Sequence, residues 1–538
     1  MQTLATRETE ARPPSANTES RLSYSCDSVY VLLTYLAALT AVAVRWHGLS
    51  VQSLWWDEGY TLWISQFSPS EIWRGVATDT SPPLYYLVEH FWIRYFSASD
   101  AALRGMSAFF ETLSLPIFYL LARRILMDKA AVALAMWFYA LSAFQVEYAQ
   151  EARFYGQLSF LFLVCVYSLI VFLEKRSVLA FCILTLSLTA AAYTHNMALF
   201  YLPGIAFLWL LYPSLQTIRQ RIVDGVLCAF VVLLLYSPWI SHLRSQTKAV
   251  SQSFWASRPT VGRLADTICT ISGLSVGVLQ PLVARVLHLP SLLSATILAC
   301  ILIAILLSLI LGGLFHALPQ NKKKSGALFS YAVAPILLAF FVSLHFSPVF
   351  INRVFIASSA ILPILFSTPI AFQTKIPKQL FAIAALFVLM LTSISLLGFL
   401  RYSRKEDWRG MTNYVQKMHG NHRLLLFVPS FGQVLFDHYS NQSNAAFTPE
   451  DEDGLPETFD YTHPFLPSTM SYSDGAFVIP LQQAIQSGKY GEIDAIVSHA
   501  SNRVRTRVLD NFAAHCATVY DAEFFELEVK RCMLQPAK

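Results

Sequence analysis

The stretch "WWDEGYTLWIS", residues 55–65, places Asp57 and Glu58 side by side behind two tryptophans. Adjacent carboxylates repel each other and are costly to keep near lipid, which raises the question of what this pair does. One possibility is chemical, because a carboxylate can act as the general base that takes a proton from an attacking group. The other is structural, because Asp is a favoured residue at the start of a helix. A capping role accounts well for one of the two carboxylates but poorly for both together.

The composition of the chain indicates which elements position these carboxylates. Of the 538 residues, 55% are hydrophobic and only 14% are charged, whereas soluble domains carry about 25% charged residues. A net charge of +5 gives no support for a nucleic-acid partner. A helix that crosses a bilayer needs about 20 mostly apolar residues. We therefore predict a polytopic α-helical membrane protein with about 11 transmembrane helices, at 29–45, 101–122, 130–147, 157–173, 178–194, 197–212, 223–240, 288–311, 327–345, 352–371 and 379–399.

The basic residues fall in alternate connections between these segments. The clusters lie in the N-terminal tail and at 123–129, 175–176, 219–221, 322–324 and 375–378. The positive-inside rule places all of them in the cytoplasm. The other connections, including 46–100, 241–287 and everything after 400, then face outward. This prediction puts Asp57 and Glu58 on the extracytoplasmic side of a plasma (inner) membrane.

Three regions follow from this pattern. Residues 1–27 are polar and are predicted to form a disordered cytoplasmic tail. Residues 28–400 form the transmembrane domain, whose first outer loop, 46–100, contains amphipathic helices that we expect along the membrane surface. Residues 401–538 form a small extracytoplasmic α/β domain, with strands in "RLLLFVPS", "EIDAIVSH" and "ATVYDAEFFELEVKRCML" and a helix in "SNRVRTRVLDNFAAH". Cys516 and Cys532 flank its last strand region and are either a disulfide or two small buried thiols.

Several outward motifs together resemble one family. "WWDEGYTLW", "DTSPPLYYLVEHFWIRYF", "AQEARFYG", "AYTHN", "NRVFIASSAILP" and "RKEDWRG", in this order, look like the GT-C glycosyltransferases. The resemblance is to the bacterial branch of protein O-mannosyltransferases and the lipid A aminoarabinose transferase (glycosyltransferase family 39-like). It spans about residues 29–410. Many relatives have a His before the Pro-Pro pair of the first loop, where this chain has Ser81.

The resemblance implies an inverting transfer of a sugar from an outward-facing polyprenyl-phosphate carrier to an acceptor hydroxyl. Asp57 would be the base, and Glu58 would tune it, because a neighbouring carboxylate raises the pKa of one member of a pair. Arg153 and Arg353 would stabilise the leaving phosphate. Their structural alternatives are an ion pair with Glu151 and snorkelling to the interface. The remaining substrate-binding candidates are Asp79, Tyr85, Glu151, Tyr155 and His195.

The expected partners are a polyprenyl-phosphate-linked sugar, membrane lipids, and a glycolipid, polysaccharide or protein acceptor. A divalent cation is an open alternative, because Asp57, Glu58, Glu147 and Glu151 are hard oxygen ligands but show no recognisable ligand spacing. A transporter or flippase of lipid-linked sugars is the alternative function, and a polysaccharide polymerase or ligase is a third. A transporter typically has polar mid-membrane residues and broken helices in paired halves. The sequence shows no repeat between its halves.

Overall fold

A computed structural model describes residues 16–253, 256–288, 290–315, 319–372, 377–402, 405–418, 423–428, 431–440, 491–498 and 516–534. In chain order its helices are α1 (Ala16–Trp46), α2 (Trp56–Ile64), α3 (Pro69–Val76), α4 (Leu84–Phe96), α5 (Asp100–Leu126), α6 (Lys129–Leu141), α7 (Ala143–Ala149), α8 (Tyr155–Lys175), α9 (Val178–Thr194), α10 (Leu202–Leu211), α11 (Ile218–Tyr236), α12 (Ile240–Ser253), α13 (Val261–Ile271), α14 (Val276–Leu287), α15 (Ser291–Phe315), α16 (Pro319–His345), α17 (Ile356–Ser359), α18 (Leu362–Ala371), α19 (Lys378–Arg401), α20 (Trp408–Lys417) and α21 (Gly432–Ser440).

The long apolar helices confirm a multi-pass membrane protein. Within the described residues, eight helical segments are long and apolar enough to cross a bilayer: Asp27–Trp46, Asp100–Leu126, Tyr155–Lys175, Ile218–Ser251, Leu293–Leu314, Asn321–His345, Asn352–Ala371 and Lys378–Arg401. Each matches a predicted span. The predicted spans at 178–194 and 197–212 are shorter apolar helices, α9 and a 3-10 segment continued by α10.

The predicted span at 130–147 is a broken helix. Helices α6 and α7 meet at an angle of 53°. The break lies at Ser142, whose backbone is extended and whose hydroxyl accepts a hydrogen bond from the Gln145 amide at 3.4 Å. A Ser in this geometry ends one helix and caps the next. A second bent pair, α13 with α14 at 96°, lies in the connection 241–287 that was predicted as an outer loop.

Two segments near the N-terminus differ from the prediction in detail. Helix α1 begins at Ala16, so the predicted disordered tail is wrong for residues 16–27, while residues 1–15 lie outside the described residues. In the first outer loop, seven of the nine residues of α2 are buried. This helix packs inside the protein on its aromatic side chains instead of presenting a polar face, so it is not the amphipathic surface helix that we expected.

The C-terminal region contains a four-stranded sheet. Its strands are β1 (Arg423–Val428), β2 (Glu492–Ser498), β3 (Cys516–Phe524) and β4 (Leu527–Leu534), in the order β1-β2-β4-β3. Strand β1 is parallel to β2, and the other pairs are antiparallel. Cys516 and Cys532 form a disulfide between β3 and β4, with Cα atoms 5.3 Å apart. The three predicted strand regions are confirmed, and the predicted helix at 501–515 lies outside the described residues.

Candidate active site

A cavity of about 440 Å³ brings together six of the nine predicted site residues. The six are Asp57, Asp79, Arg153, Tyr155, His195 and Arg353. They come from the start of α2, the turn before α4, the turn between α7 and α8, the end of α9 and the segment before α17. The cavity also has apolar walls from a 3-10 segment, α12, α16 and the segment after α16, with Leu199, Phe200, Leu243, Val250, Val342, Phe346, Val349 and Ile351.

Asp57 and Arg353 form an ion pair across this cavity. The Asp57 Oδ2 atom lies 2.9 Å from the Arg353 Nη1 atom, and both side chains are partly exposed, by 24% and 19%. The guanidinium also lies 5.9 Å from the Trp55 ring and 5.8 Å from the Tyr155 ring. Arg353 sits at the start of Asn352–Ala371, the span whose apolar window is the most buried, at 89%. The arginine is therefore anchored on a rigid element, with its charged group in the cavity.

Arg153 approaches the same point from another side. Its Nη1 atom donates to the backbone carbonyl of Asp57 and to the Tyr86 hydroxyl, each at 3.2 Å. Its guanidinium lies 4.8 Å from the Phe154 ring. Burial alone would lower the pKa of Arg153, but the nearby oxygens of Tyr86 and Asp57 raise it, so the group stays charged. The side chain contacts these two residues and not Glu151, which was its structural alternative.

Glu58 faces away from the cavity, in a fully buried ionic network. Its carboxylate accepts two hydrogen bonds from Arg104, at 2.6 and 2.8 Å, and one from Lys405 at 2.8 Å. It also accepts from the Ala152 amide at 2.8 Å and from the Trp55 amide at 3.3 Å. The last contact closes the first turn of α2. Glu58 therefore does the capping that the sequence offered to Asp57, which is the second residue of the helix.

This network corrects the expected electrostatics of the pair. Burial raises the pKa of Glu58, but Arg104 and Lys405 outweigh that effect and lower it to about 2. Glu58 is thus a permanent anion already neutralised by two cations, so it is not the member of the pair whose pKa is raised. The Glu58 side chain is 0% exposed, so it does not face water.

The remaining predicted acids are nearly or partly buried. Glu151 is 6% exposed, and burial raises its pKa to about 7. It does not line the cavity, but the charges of Lys405, Arg353 and Asp57 all act on it. Asp79 does line the cavity, and burial, with a smaller contribution from Asp57, raises the pKa of Asp79 too. Tyr85 is fully buried and outside the cavity.

His195 is held in one protonation state. Its Nδ1 atom accepts a hydrogen bond from the Met197 amide at 3.0 Å, so the neutral ring carries its proton on Nε2. Burial and the charges of Arg153 and Arg353 lower the pKa of His195 to about 3. The ring packs against Phe154 at an interplanar angle of 40°, with centroids 4.2 Å apart. A neutral imidazole with a fixed N–H can donate a hydrogen bond without adding charge.

Sequence reasoning missed several residues of this site. Tyr86 holds Arg153, although the motif "PPLYY" gave no way to choose between it and Tyr85. Asn196 donates to the Thr80 carbonyl and to Gln246, each at 2.8 Å, which fixes the turn that carries Asp79. Gln246 lies in α12, where no motif marked it. Phe431, just before α21, closes the cavity from the C-terminal region and packs 4.9 Å from the Trp56 ring.

The carboxylates near the cavity do not fit a divalent cation. Among the described residues, no group of three or more His, Cys, Asp or Glu side chains is placed to hold a metal ion. The oxygens of Glu58 are already engaged by Arg104 and Lys405, and Asp57 is paired with Arg353. A cation would have to displace positively charged side chains from each of these sites.

Comparisons with known proteins support the fold assignment. No protein-family model matches the sequence, and no curated protein matches it either. The crystal structure of ArnT from Cupriavidus metallidurans in the apo state superposes with a TM-score of 0.56, at 14% identity, over 94% of this chain and 98% of that chain. The chain has the ArnT fold. A second ArnT structure, bound to undecaprenyl phosphate, matches with a TM-score of 0.49 at 13% identity over the same shares. This superposition agrees with the predicted fold class, a multi-pass helical membrane protein with a small C-terminal α/β region.

Proposed function

We propose that this protein is an inverting glycosyltransferase that moves a sugar from an outward-facing polyprenyl phosphate to an acceptor hydroxyl. The observation that carries the proposal is the content of one cavity. It contains a carboxylate, Asp57, two arginines, Arg153 and Arg353, and an apolar wall formed by a 3-10 segment, α12, α16 and the segment after α16. These groups match a base, a phosphate site and a surface for a prenyl chain.

In the proposed reaction Asp57 takes the proton of the acceptor hydroxyl as that oxygen attacks the anomeric carbon of the sugar. The bond between this carbon and the phosphate oxygen breaks on the opposite face, and the electron pair leaves with the polyprenyl phosphate. The leaving group is a weak base and needs positive charge rather than a proton. Arg153 and Arg353 supply this charge, and Arg353 can do so with a forked pair of hydrogen bonds.

The ion pair between Asp57 and Arg353 implies an order of events, in which the sugar donor binds before Asp57 can act on the acceptor. Arg353 holds the carboxylate at 2.9 Å, and a base held in this way is a poor proton acceptor. The donor phosphate competes for the same guanidinium. Binding of the donor therefore draws Arg353 away and frees Asp57 only when a sugar is in place. His195, with its fixed N–H, is then suited to hold a sugar oxygen.

The experiment is a transfer assay with purified protein, radiolabelled polyprenyl-phosphate sugars and a membrane extract as acceptor source. The expected result is label in a new glycoconjugate, with release of unlabelled polyprenyl phosphate. Proteoliposomes with labelled carrier in one leaflet test the flippase alternative in parallel. Movement of intact carrier across the bilayer without transfer to any acceptor would replace the glycosyltransferase with a transporter.

A further inference from the structure

A second cavity, of about 530 Å³, lies among α1, α5 and α6, at the other end of α5 from the first outer loop. Its walls are apolar and aromatic, with Val31, Ala38, Leu115, Val132 and three tyrosines, Tyr30, Tyr35 and Tyr119. Its mouth carries Arg123, Asp128 and Lys129. Tyr35 is 66% exposed and Met127 is 76% exposed, so the groove opens on the apolar outer face of the bundle. On the predicted topology this mouth faces the cytoplasm.

The length of the groove matches one leaflet of a bilayer. Leu115 and Met127 both line it and are twelve residues apart along α5 and its cap, which corresponds to about 18 Å at about 1.5 Å per residue. Half of the hydrocarbon core is about 15 Å thick. Tyrosines favour the boundary between hydrocarbon and head groups. A chain of lipid length fits along the groove, with its polar head at the charged mouth.

Two charged side chains at the mouth form no ion pair with any residue that the structure describes, so they are available to a ligand. Lys129 is paired with Asp27 at 2.7 Å, and the neighbouring Arg124 is paired with Glu174 at 2.7 Å. By contrast, Arg123 makes no ion pair or side-chain hydrogen bond with any residue that the structure describes. Asp128 forms no ion pair within the same residues; one of its oxygens caps α6 by accepting from the Ala131 amide at 2.8 Å. One uncompensated cation and one uncompensated anion therefore share the entrance.

We infer that this groove binds a diacyl phospholipid with a zwitterionic primary-amine head group, as in phosphatidylethanolamine. Arg123 contacts the phosphate, and the second carboxylate oxygen of Asp128 accepts a hydrogen bond from the ammonium group. An acyl chain lies along Leu115, Val132 and Ala38. A choline head group cannot donate to Asp128, and a glycerol head group has no cation for it. The inference does not depend on the proposed transferase function, because the two cavities share no residue.

Native mass spectrometry of the purified full chain, with lipids of identical acyl chains, tests this inference. We expect phosphatidylethanolamine to be retained about tenfold better than phosphatidylcholine or phosphatidylglycerol. Asp128→Asn keeps the helix cap, because Asn caps as well as Asp, but should abolish the preference over phosphatidylcholine. Arg123→Gln should weaken retention of every phospholipid, and Ala38→Phe should do the same by filling the groove.

Arg219→Gln is the matched control, because Arg219 is an exposed arginine at the predicted cytoplasmic end of α11, outside the groove. Equal retention of the three lipids by the wild-type protein would overturn the head-group assignment. Unchanged retention in both Arg123→Gln and Ala38→Phe, with both variants monodisperse on gel filtration, would place the bound lipid elsewhere and remove the site.

Discussion

At the scale of single residues, Asp57 and Glu58 are adjacent in the chain but lie in different surroundings. Asp57 is partly exposed to the cavity, and Glu58 is buried among Arg104, Lys405 and backbone amides. Successive helix positions point about 100° apart, so two neighbours at the start of α2 reach different surroundings. The proposed chemistry therefore rests on Asp57, and the fold of the loop rests on Glu58.

Asp57→Asn is the direct test of the base. Asn keeps the size of the side chain but cannot take a proton at neutral pH, so we expect turnover to fall at least about a hundredfold. Asp407→Asn is the control, since Asp407 caps α20 by accepting from the Gly410 amide at 2.9 Å and is outside the cavity. It should transfer sugar at nearly the wild-type rate. Near-normal transfer by Asp57→Asn would show that Asp57 is not the general base.

Glu58→Gln should act on stability. The amide leaves Arg104 and Lys405 buried without their counter-charge, and breaking a buried ion pair typically costs about 3–5 kcal/mol. We expect a matching fall in the free energy of unfolding of the purified protein. Glu71→Ala removes the same type of capping contact from α3, where Glu71 accepts from the Ser68 amide at 3.0 Å. This control should cost on the order of 1 kcal/mol. Equal losses in both variants would mean that capping alone explains Glu58.

Glu151 should give the activity a pH dependence near neutrality. Because burial raises the pKa of Glu151 to about 7, the group is neutral below that pH in the folded protein and negative above it. A negative charge near Arg353 opposes binding of the donor phosphate. We expect KM for the donor to rise several-fold between pH 6 and pH 8, and Glu151→Gln to flatten this rise. An unchanged pH profile in Glu151→Gln would assign the dependence to another group.

At this scale the sequence predicted the candidate reactive residues better than it predicted the residues that contact them. Asp57, Arg153, Arg353 and His195 were found because carboxylate, arginine and histidine are uncommon in an aromatic outer face. Tyr86 and Gln246 were missed, because a tyrosine beside another tyrosine and a glutamine in a polar helix carry no local signal. The pairing of Glu58 with Arg104 was also hidden, since 46 residues separate them.

At the scale of elements, Arg353 illustrates how a span holds a reactive group. A short 3-10 turn, Asn352–Phe355, precedes α17, and the whole span is enclosed by other helices. The side chain is therefore anchored on a buried element, as the proposed exchange of its ion pair with Asp57 for a phosphate requires. The sequence predicted this span correctly but not the turn at its start, because boundaries depend on tertiary contacts.

Arg353→Ala should impair use of the donor. A hydrogen bond to a charged group contributes about 1.5–3 kcal/mol, so we expect KM for the polyprenyl-phosphate sugar to rise about 10- to 100-fold, with a much smaller change for the acceptor. Arg353→Lys should restore only part of the loss, since Lys keeps the charge but lacks the fork. Arg94→Ala, on the exposed side of α4 and outside the cavity, is the control. Normal donor kinetics in Arg353→Ala would exclude Arg353 from the phosphate site.

At the scale of the whole molecule, the apolar segments predicted the architecture and the long-range contacts had to come from the structure. Span length and hydropathy are local properties, which is why the segments agree with the helices. The docking of the C-terminal region is not local. His438 and Tyr439 in α21 each lie 2.8 Å from the Asp100 carboxylate at the start of α5. This contact places Phe431 at the cavity, and no sequence motif predicts the contact.

The predicted sidedness of the chain is the remaining test at this scale. Lys and Arg clusters in alternate connections place residues 322–324 in the cytoplasm and everything after 400 outside. The candidate active site and the C-terminal sheet share the outward side on this topology. A reporter that is active only in the periplasm should therefore give a signal when fused after residue 400 and none when fused after Lys324. A cysteine-labelling scan with an impermeant reagent at the same two positions provides an independent measurement of sidedness. If the fusion after Lys324 is active and the one after 400 is silent, the proposed site faces the cytoplasm and cannot use an outward-facing donor.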